Sequence, residues 1–168
     1  MTYLYRALRP QLLLFLLIFS LNASAKDIYD DAVALNGINN VKAVFQIDFK
    51  TAQKTAFYMD LIVGTYDGLV RQKVESEMVV VVIGPTVKFL SQTANPELTF
   101  DYEKEFDSIQ ASIKELHQRG VRIEVCAIAT EVFKVDNKTL PKELSVVADG
   151  FVSLIGWQSQ DYKLVPVF

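Results

Sequence analysis

Glu77–Ile83 reads EMVVVVI, and this run decides the fold. Its β-branched apolar residues occupy both parities, and a strand apolar on both parities is covered on both sides. That points to a parallel sheet with helices on each face. Gly84-Pro85-Thr86 follows at the carboxyl end. Gly84 permits close backbone approach, and Pro85 suits the first turn of a short helix through Val87–Leu90. A helix N-terminus at a strand end can hold an anion. Without a G-x-G-x-x-G or a P-loop lysine motif, that phosphate signal is weak.

Upstream, Val41–Ile47 is the first strand. Val41, Ala43, Phe45 and Ile47 share one parity and Lys42, Val44 and Gln46 the other, so one face is more polar. Asp48 or Thr51 is placed to cap the next helix. That helix covers Thr51–Gln72. Tyr58, Leu61, Ile62, Thr65 and Leu69 form one stripe, and Met59, Val63, Tyr66 and Val70 a neighbouring one. Gly64 and Gly68 leave two readings: close approach by a strand or partner chain, or a helix that ends near Gly64.

Downstream, Ser91–Asp101 reads as a loop with a turn at Asn95-Pro96. Phe106, Ile109, Ile113 and Leu116 then recur at helical spacing, and Gly120 closes that helix in the left-handed C-cap position. Gly120–Thr130, GVRIEVCAIAT, reads as a buried strand ending at Cys126, the only cysteine. Val121, Ile123 and Val125 point one way; Arg122, Glu124 and Cys126 point the other. Ala127–Phe133 starts a turn or short helix. Leu144–Val147 is a fourth strand, and Gly150–Gln160 a helix with Phe151, Leu154, Ile155 and Gln158 on one stripe. Tyr162–Val167 is the last strand, and its Pro166 favours an edge. The alternation predicts an α/β domain with a mainly parallel five-stranded sheet.

The amino terminus reads differently. Met1–Pro10 carries Arg6 and Arg9 and no acid, Leu12–Leu21 is apolar except for Ser20, and Ala23-Ser24-Ala25 supplies small residues. That pattern predicts a secretory signal peptide over 1–25, cleaved before Lys26, and a periplasmic mature protein. Ten helical residues cover only about 15 Å, against a hydrocarbon core of about 30 Å, so stable membrane insertion is not expected. Residues 26–40 read as a flexible lead-in and 41–168 as the domain. The mature chain of 143 residues holds 15 basic and 20 acidic side chains, a net charge of −5. With no basic run, nucleic-acid binding is not expected.

In open α/β sheets, ligands collect outside the carboxyl ends of the strands. Cys126 is therefore the candidate catalytic residue. A thiol is activated by a helix N-terminus or an adjacent base. The only histidine, His117, lies before Gly120, at the start of the strand that Cys126 ends. Six residues of strand span roughly 20 Å, which argues against a Cys–His hydrolase. One cysteine and one histidine at opposite ends do not make a metal site, and no cofactor is expected. What remains is chemistry that needs one exposed sulfur and no built-in base, as in a persulfide carrier. The alternative is that Cys126 is a small buried hydrophobe.

Three stretches carry a family resemblance: VVVVIGPTVKFL at Val79–Leu90, GVRIEVC at Gly120–Cys126, and DGFVSLIGWQSQDY at Asp149–Tyr162. With them the chain resembles the DsrE/DsrF-like family, which includes the sulfur-relay subunits of the DsrEFH and TusBCD complexes and the YchN-like proteins. The similarity runs through roughly Val41–Val167. It implies a parallel α/β fold, assembly into trimers or hexamers, donor and acceptor partners for sulfur, and Cys126 as the sulfur-accepting thiol. Gly150, Gln158 and Tyr162 match the pattern of the family's last helix. Ile83 stands where members often have histidine, and Asp161 where a glycine commonly precedes the tyrosine.

Overall fold

The computed structural model describes residues 29–91, 93 and 96–168. The predicted signal peptide and Asn95 of the predicted turn lie outside the described residues. Five strands form one sheet: β1 (Asn40–Ile47), β2 (Glu75–Val82), β3 (Arg122–Cys126), β4 (Leu144–Val147) and β5 (Lys163–Val167). Their order is β4-β3-β2-β1-β5 and every pairing is parallel. The helices are α1 (Ala52–Arg71), α2 (Pro96–Asp101), α3 (Glu103–Gln118), α4 (Ala127–Val132) and α5 (Gly150–Ser159). Short 3-10 helices cover Gly84–Phe89 and Asn137–Thr139.

Chain direction explains how the two faces are covered. From β1 to β4 each strand adds on the same side of its predecessor, and parallel crossovers are right-handed. That puts α1 and α3 on one face, where they pack on each other. The β4–α5–β5 crossover runs back across the sheet, so α5 lies on the other face against β1, β2, β3 and β5. Register divides the side chains accordingly. Lys42 aligns with Glu77, and Val81 with Glu124, and these residues share the α5 face with Cys126. Val80, Val82, Ile123 and Val125 face α1 and α3.

The α1/α3 side is the larger apolar layer. Ile47, Met59, Ile109, Ile113, Leu116, Val80 and Val82 are completely or almost completely excluded from solvent. The spacing of Phe106, Ile109, Ile113 and Leu116 predicts their burial, and all four are buried. The stripe predicted on α1 is less accurate. Met59, Ile62 and Val63 are buried, but Leu61 and Val70 are exposed, and Ala52, Thr55 and Ala56 take the remaining inward positions. Thr51 caps this helix through the Lys54 N–H. The helix runs through Gly64 and Gly68, and a Cβ at either would meet open space. Ser91–Asp101, predicted as a loop, contains α2, a six-residue helix too short to show a period.

Four helices end alike, with a Schellman motif. After α3, the N–H of Gly120 bonds the His117 carbonyl and that of Val121 the Leu116 carbonyl, with Gly120 at φ 78°. The same pair of bonds follows α1, α4 and α5, where the left-handed residue is Lys73, Lys134 or Asp161. Only α3 uses glycine, the residue without a steric penalty in that region. Residues 32–37 form a turn before β1, and Asp31 and Gln72 exchange two hydrogen bonds at 2.8 and 3.1 Å, tying this segment to the end of α1.

Candidate functional site

The carboxyl ends of β3 and β4 are where the chain's connections part. β3 leads onward through α4, while β4 turns back through α5. Crevices at such switch points are the usual ligand sites of open α/β sheets. Cys126 is the last residue of β3, level with Val147 of β4. Its backbone is the N-cap of α4, but its side chain makes no capping hydrogen bond. It is 6% exposed.

The thiol's environment is set by close backbone approach. A Cβ built at Gly150, the first residue of α5, would stand 2.6 Å from Ile83 Cγ2 and 3.0 Å from Cys126 Cβ. Glycine lets the start of α5 settle onto the ends of β2 and β3. Asp149 caps α5 by accepting the Phe151 N–H at 2.8 Å. On the other side, Gly84 has φ 57°, and a Cβ there would meet Asp48 Oδ1 at 2.2 Å. The buried Thr86 hydroxyl accepts the Phe49 N–H and donates to the Phe49 carbonyl. That clamp joins the loops leaving β1 and β2 and places Asp48 at the rim.

Between these elements lies a cleft of about 230 Å3. Cys126, Ile83, Ala129, Ile128, Val132, Phe133 and Phe151 form apolar walls, and Asp48 and Asp149 bring two carboxylates. Among the described residues, no lysine, arginine or histidine lines it. His117 lies at the opposite end of β3, beside Gly120, Val121 and Arg122. The predicted separation of thiol and imidazole therefore matches the fold. Among the described residues, no group of three or more His, Cys, Asp or Glu is placed to hold a metal ion.

Beneath the cleft, the α5 face carries a polar network that the sequence reading missed. Glu124 is 4% exposed. Arg122 Nε donates to its Oε1 at 2.6 Å, while Trp157 Nε1, at 3.1 Å, and the Ser153 hydroxyl donate to its Oε2. Burial pushes the Glu124 carboxyl up, but the hydrogen bonds from Arg122, Ser153 and Trp157 outweigh it, so the net position is below the ordinary glutamate value. Tyr162 donates to Glu77 at 3.0 Å, and its ring meets Trp157 edge-on. Burial, then Glu77, raises the Tyr162 hydroxyl above its ordinary value. The only signal in the sequence was that Arg122, Glu124 and Cys126 share a parity.

A family model described as the DsrE/DsrF-like family matches residues 41–167. The chain belongs to the DsrE/DsrF-like family. Solved structures share the fold. Protein MTH1491 from Methanobacterium thermoautotrophicum is 17% identical with a TM-score of 0.58, the match covering 76% of this chain and 99% of that one. The ychN protein from E. coli is 13% identical with a TM-score of 0.57 over the same shares. No curated protein matches the sequence. In this DsrE-like chain, all of β1 to β5 except Asn40 at the start of β1 falls within the family match.

Proposed function

We propose that this DsrE-like protein is a secreted sulfur carrier that holds one sulfur atom on Cys126. Family membership supports a sulfur-relay role in general. The observation that carries the specific reading is the position of the one thiol, on the floor of an open apolar cleft at the sheet's switch point. The Cys126 thiolate attacks the outer sulfur of a persulfide donor, its proton having gone to solvent. The donor's S–S bond breaks, and its inner sulfur leaves as a thiolate. Cys126 then carries a persulfide, and an acceptor thiolate takes the outer sulfur by the same exchange.

The test is intact mass after incubation with a persulfide donor. An adduct of about 32 Da, one sulfur atom, is expected on the native chain and absent from Cys126→Ser. An unmodified Cys126 favours a second reading, in which the chain is a non-catalytic assembly module with a structural cysteine. Its 6% exposure is the observation on that side.

Secretion is part of the proposal: N-terminal sequencing of the exported protein should begin at Lys26, and an intact Met1 would contradict it. So is self-assembly into a trimer or hexamer. Ile128, Val132 and Phe151 at the cleft, and Val152 and Ile155 elsewhere on α5, are all more than half exposed, apolar surface of the kind that marks protein contacts. A strict monomer on sizing would contradict assembly.

A further inference from the structure

The charge of the thiol cleft is one-sided. Asp48 and Asp149 line it, while Lys88 and Lys134 belong to the neighbouring cavity. Packing fixes the Asp48 carboxylate. Its Oδ1 would stand 2.2 Å from a Cβ at Gly84, itself a lining residue, so the carboxylate lies directly against the Gly84 backbone. Among the described residues neither aspartate enters an ion pair. Asp149 is partly compensated, because its Oδ1 accepts the Phe151 N–H at the start of α5, where the helix dipole is positive. Asp48 is half-buried and has no such compensation: among the described residues its carboxylate has no hydrogen-bond donor.

The other walls are apolar: Ile83, Val132, Phe133 and Phe151 face the same space. A cleft lined by charge of one sign, with apolar walls, focuses the field and concentrates the opposite charge. Salt screens exposed charges beyond about 10 Å, which is longer than a cleft of this size. Its volume of about 230 Å3 is below the range of about 300–1,000 Å3 typical of organic ligand sites. The space therefore suits a sulfur atom and a short arm rather than a large donor enclosed whole.

We propose that the cleft selects sulfur-exchange partners with a positive charge on a short arm beside the reacting sulfur, the class of the small aminothiols, and that Asp48 is the main selecting residue. The inference rests on the sulfur-carrier reading and adds the substrate class to it. In the transfer, the Cys126 thiolate takes the outer sulfur of the aminothiol persulfide. The donor's S–S bond breaks, and the aminothiol leaves as its thiolate with its ammonium still intact. Anionic donors meet two like charges at the same opening.

The experiment compares the rates at which two methanethiosulfonates of similar size label Cys126, one ending in trimethylammonium and one in sulfonate. In both, the thiolate attacks the sulfenyl sulfur, a mixed disulfide forms and methanesulfinate leaves. Cys126 is the only cysteine, so the same chain unfolded in urea gives the intrinsic ratio of the two rates. The native ratio, cationic over anionic, should exceed it about tenfold; Asp48→Asn should lower it about fivefold and Asp149→Asn about twofold. Asparagine keeps the shape of the first side chain and the helix cap of the second. Glu75→Gln removes an equal charge at the opposite end of β2 and should leave the ratio unchanged. A native ratio equal to the unfolded one, a native chain that neither reagent labels, or a ratio moved as far by Glu75→Gln as by Asp48→Asn would overturn the selection. Intact mass separates this failure from that of the carrier reading. Equal sulfur uptake from the persulfides of cysteamine and mercaptoethanesulfonate overturns the charge preference alone; uptake from neither overturns the carrier reading and the inference with it.

Discussion

The two faces of the sheet are built on different terms. Beneath α1 and α3 lies a continuous apolar layer, with Ile109, Ile113, Leu116 and Val80 wholly excluded from solvent. Beneath α5, the strands present Lys42, Glu77, Glu124 and the thiol. There α5 packs with Gly150, Ser153, Leu154 and Trp157, and turns Phe151, Val152 and Ile155 to solvent. One face holds the fold together by area and close packing. The other gives up apolar contact for polar groups held in fixed positions below a thiol. The main apolar layer and the polar network thus lie on opposite faces of one sheet.

The contrast breaks most visibly on the apolar face. Ile113→Ala removes a completely buried side chain and should cost about 2–5 kcal/mol in urea unfolding. Sulfur uptake per folded molecule should not change. On the polar face, Glu124→Gln should cost about 1–3 kcal/mol, because the Arg122 donor then faces an amide. The sign with pH follows from the carboxyl being held below its ordinary value. Its stabilisation is complete above the unfolded glutamate pKa of about 4.3 and is lost as pH falls through the lower folded value. The acid limb of native stability should therefore be steeper than that of Glu124→Gln. Parallel acid limbs would show that Glu124 is not held as a charged group.

How much was legible follows the same division. On the apolar face, periodicity and burial are one signal, so α3 and the β2 strand could be read residue by residue. Cys126 at the end of β3 was legible because a helix-closing glycine fixed where the strand began. The inward stripe of α5 was not. Periodicity selects large apolar residues, and it predicted Phe151 and Ile155 facing inward, yet both are exposed. A polar sheet surface and a close approach call instead for glycine, serine and an indole N–H. Nothing local marks Glu124 as buried, because its partners Ser153 and Trp157 lie across the fold.

The smallest effect concerns the helix ends. Asp161 sits at φ 69° after α5, a region that costs an ordinary residue about 1 kcal/mol or more. Asp161→Gly should stabilise the protein by about 0.5–1 kcal/mol in thermal unfolding and leave the cleft unchanged. A loss of stability would show that the aspartate side chain contributes a contact worth more than the strain.

The central claim is that Cys126 is reached in the folded protein, and thiol alkylation kinetics in the native chain and in Ile113→Ala test it most directly. If reagents arrive through the cleft, both proteins label at the same rate. If labelling waits for unfolding, the variant labels faster in proportion to its lost stability. At about 2 kcal/mol that is about thirtyfold, and such a rise would contradict the account.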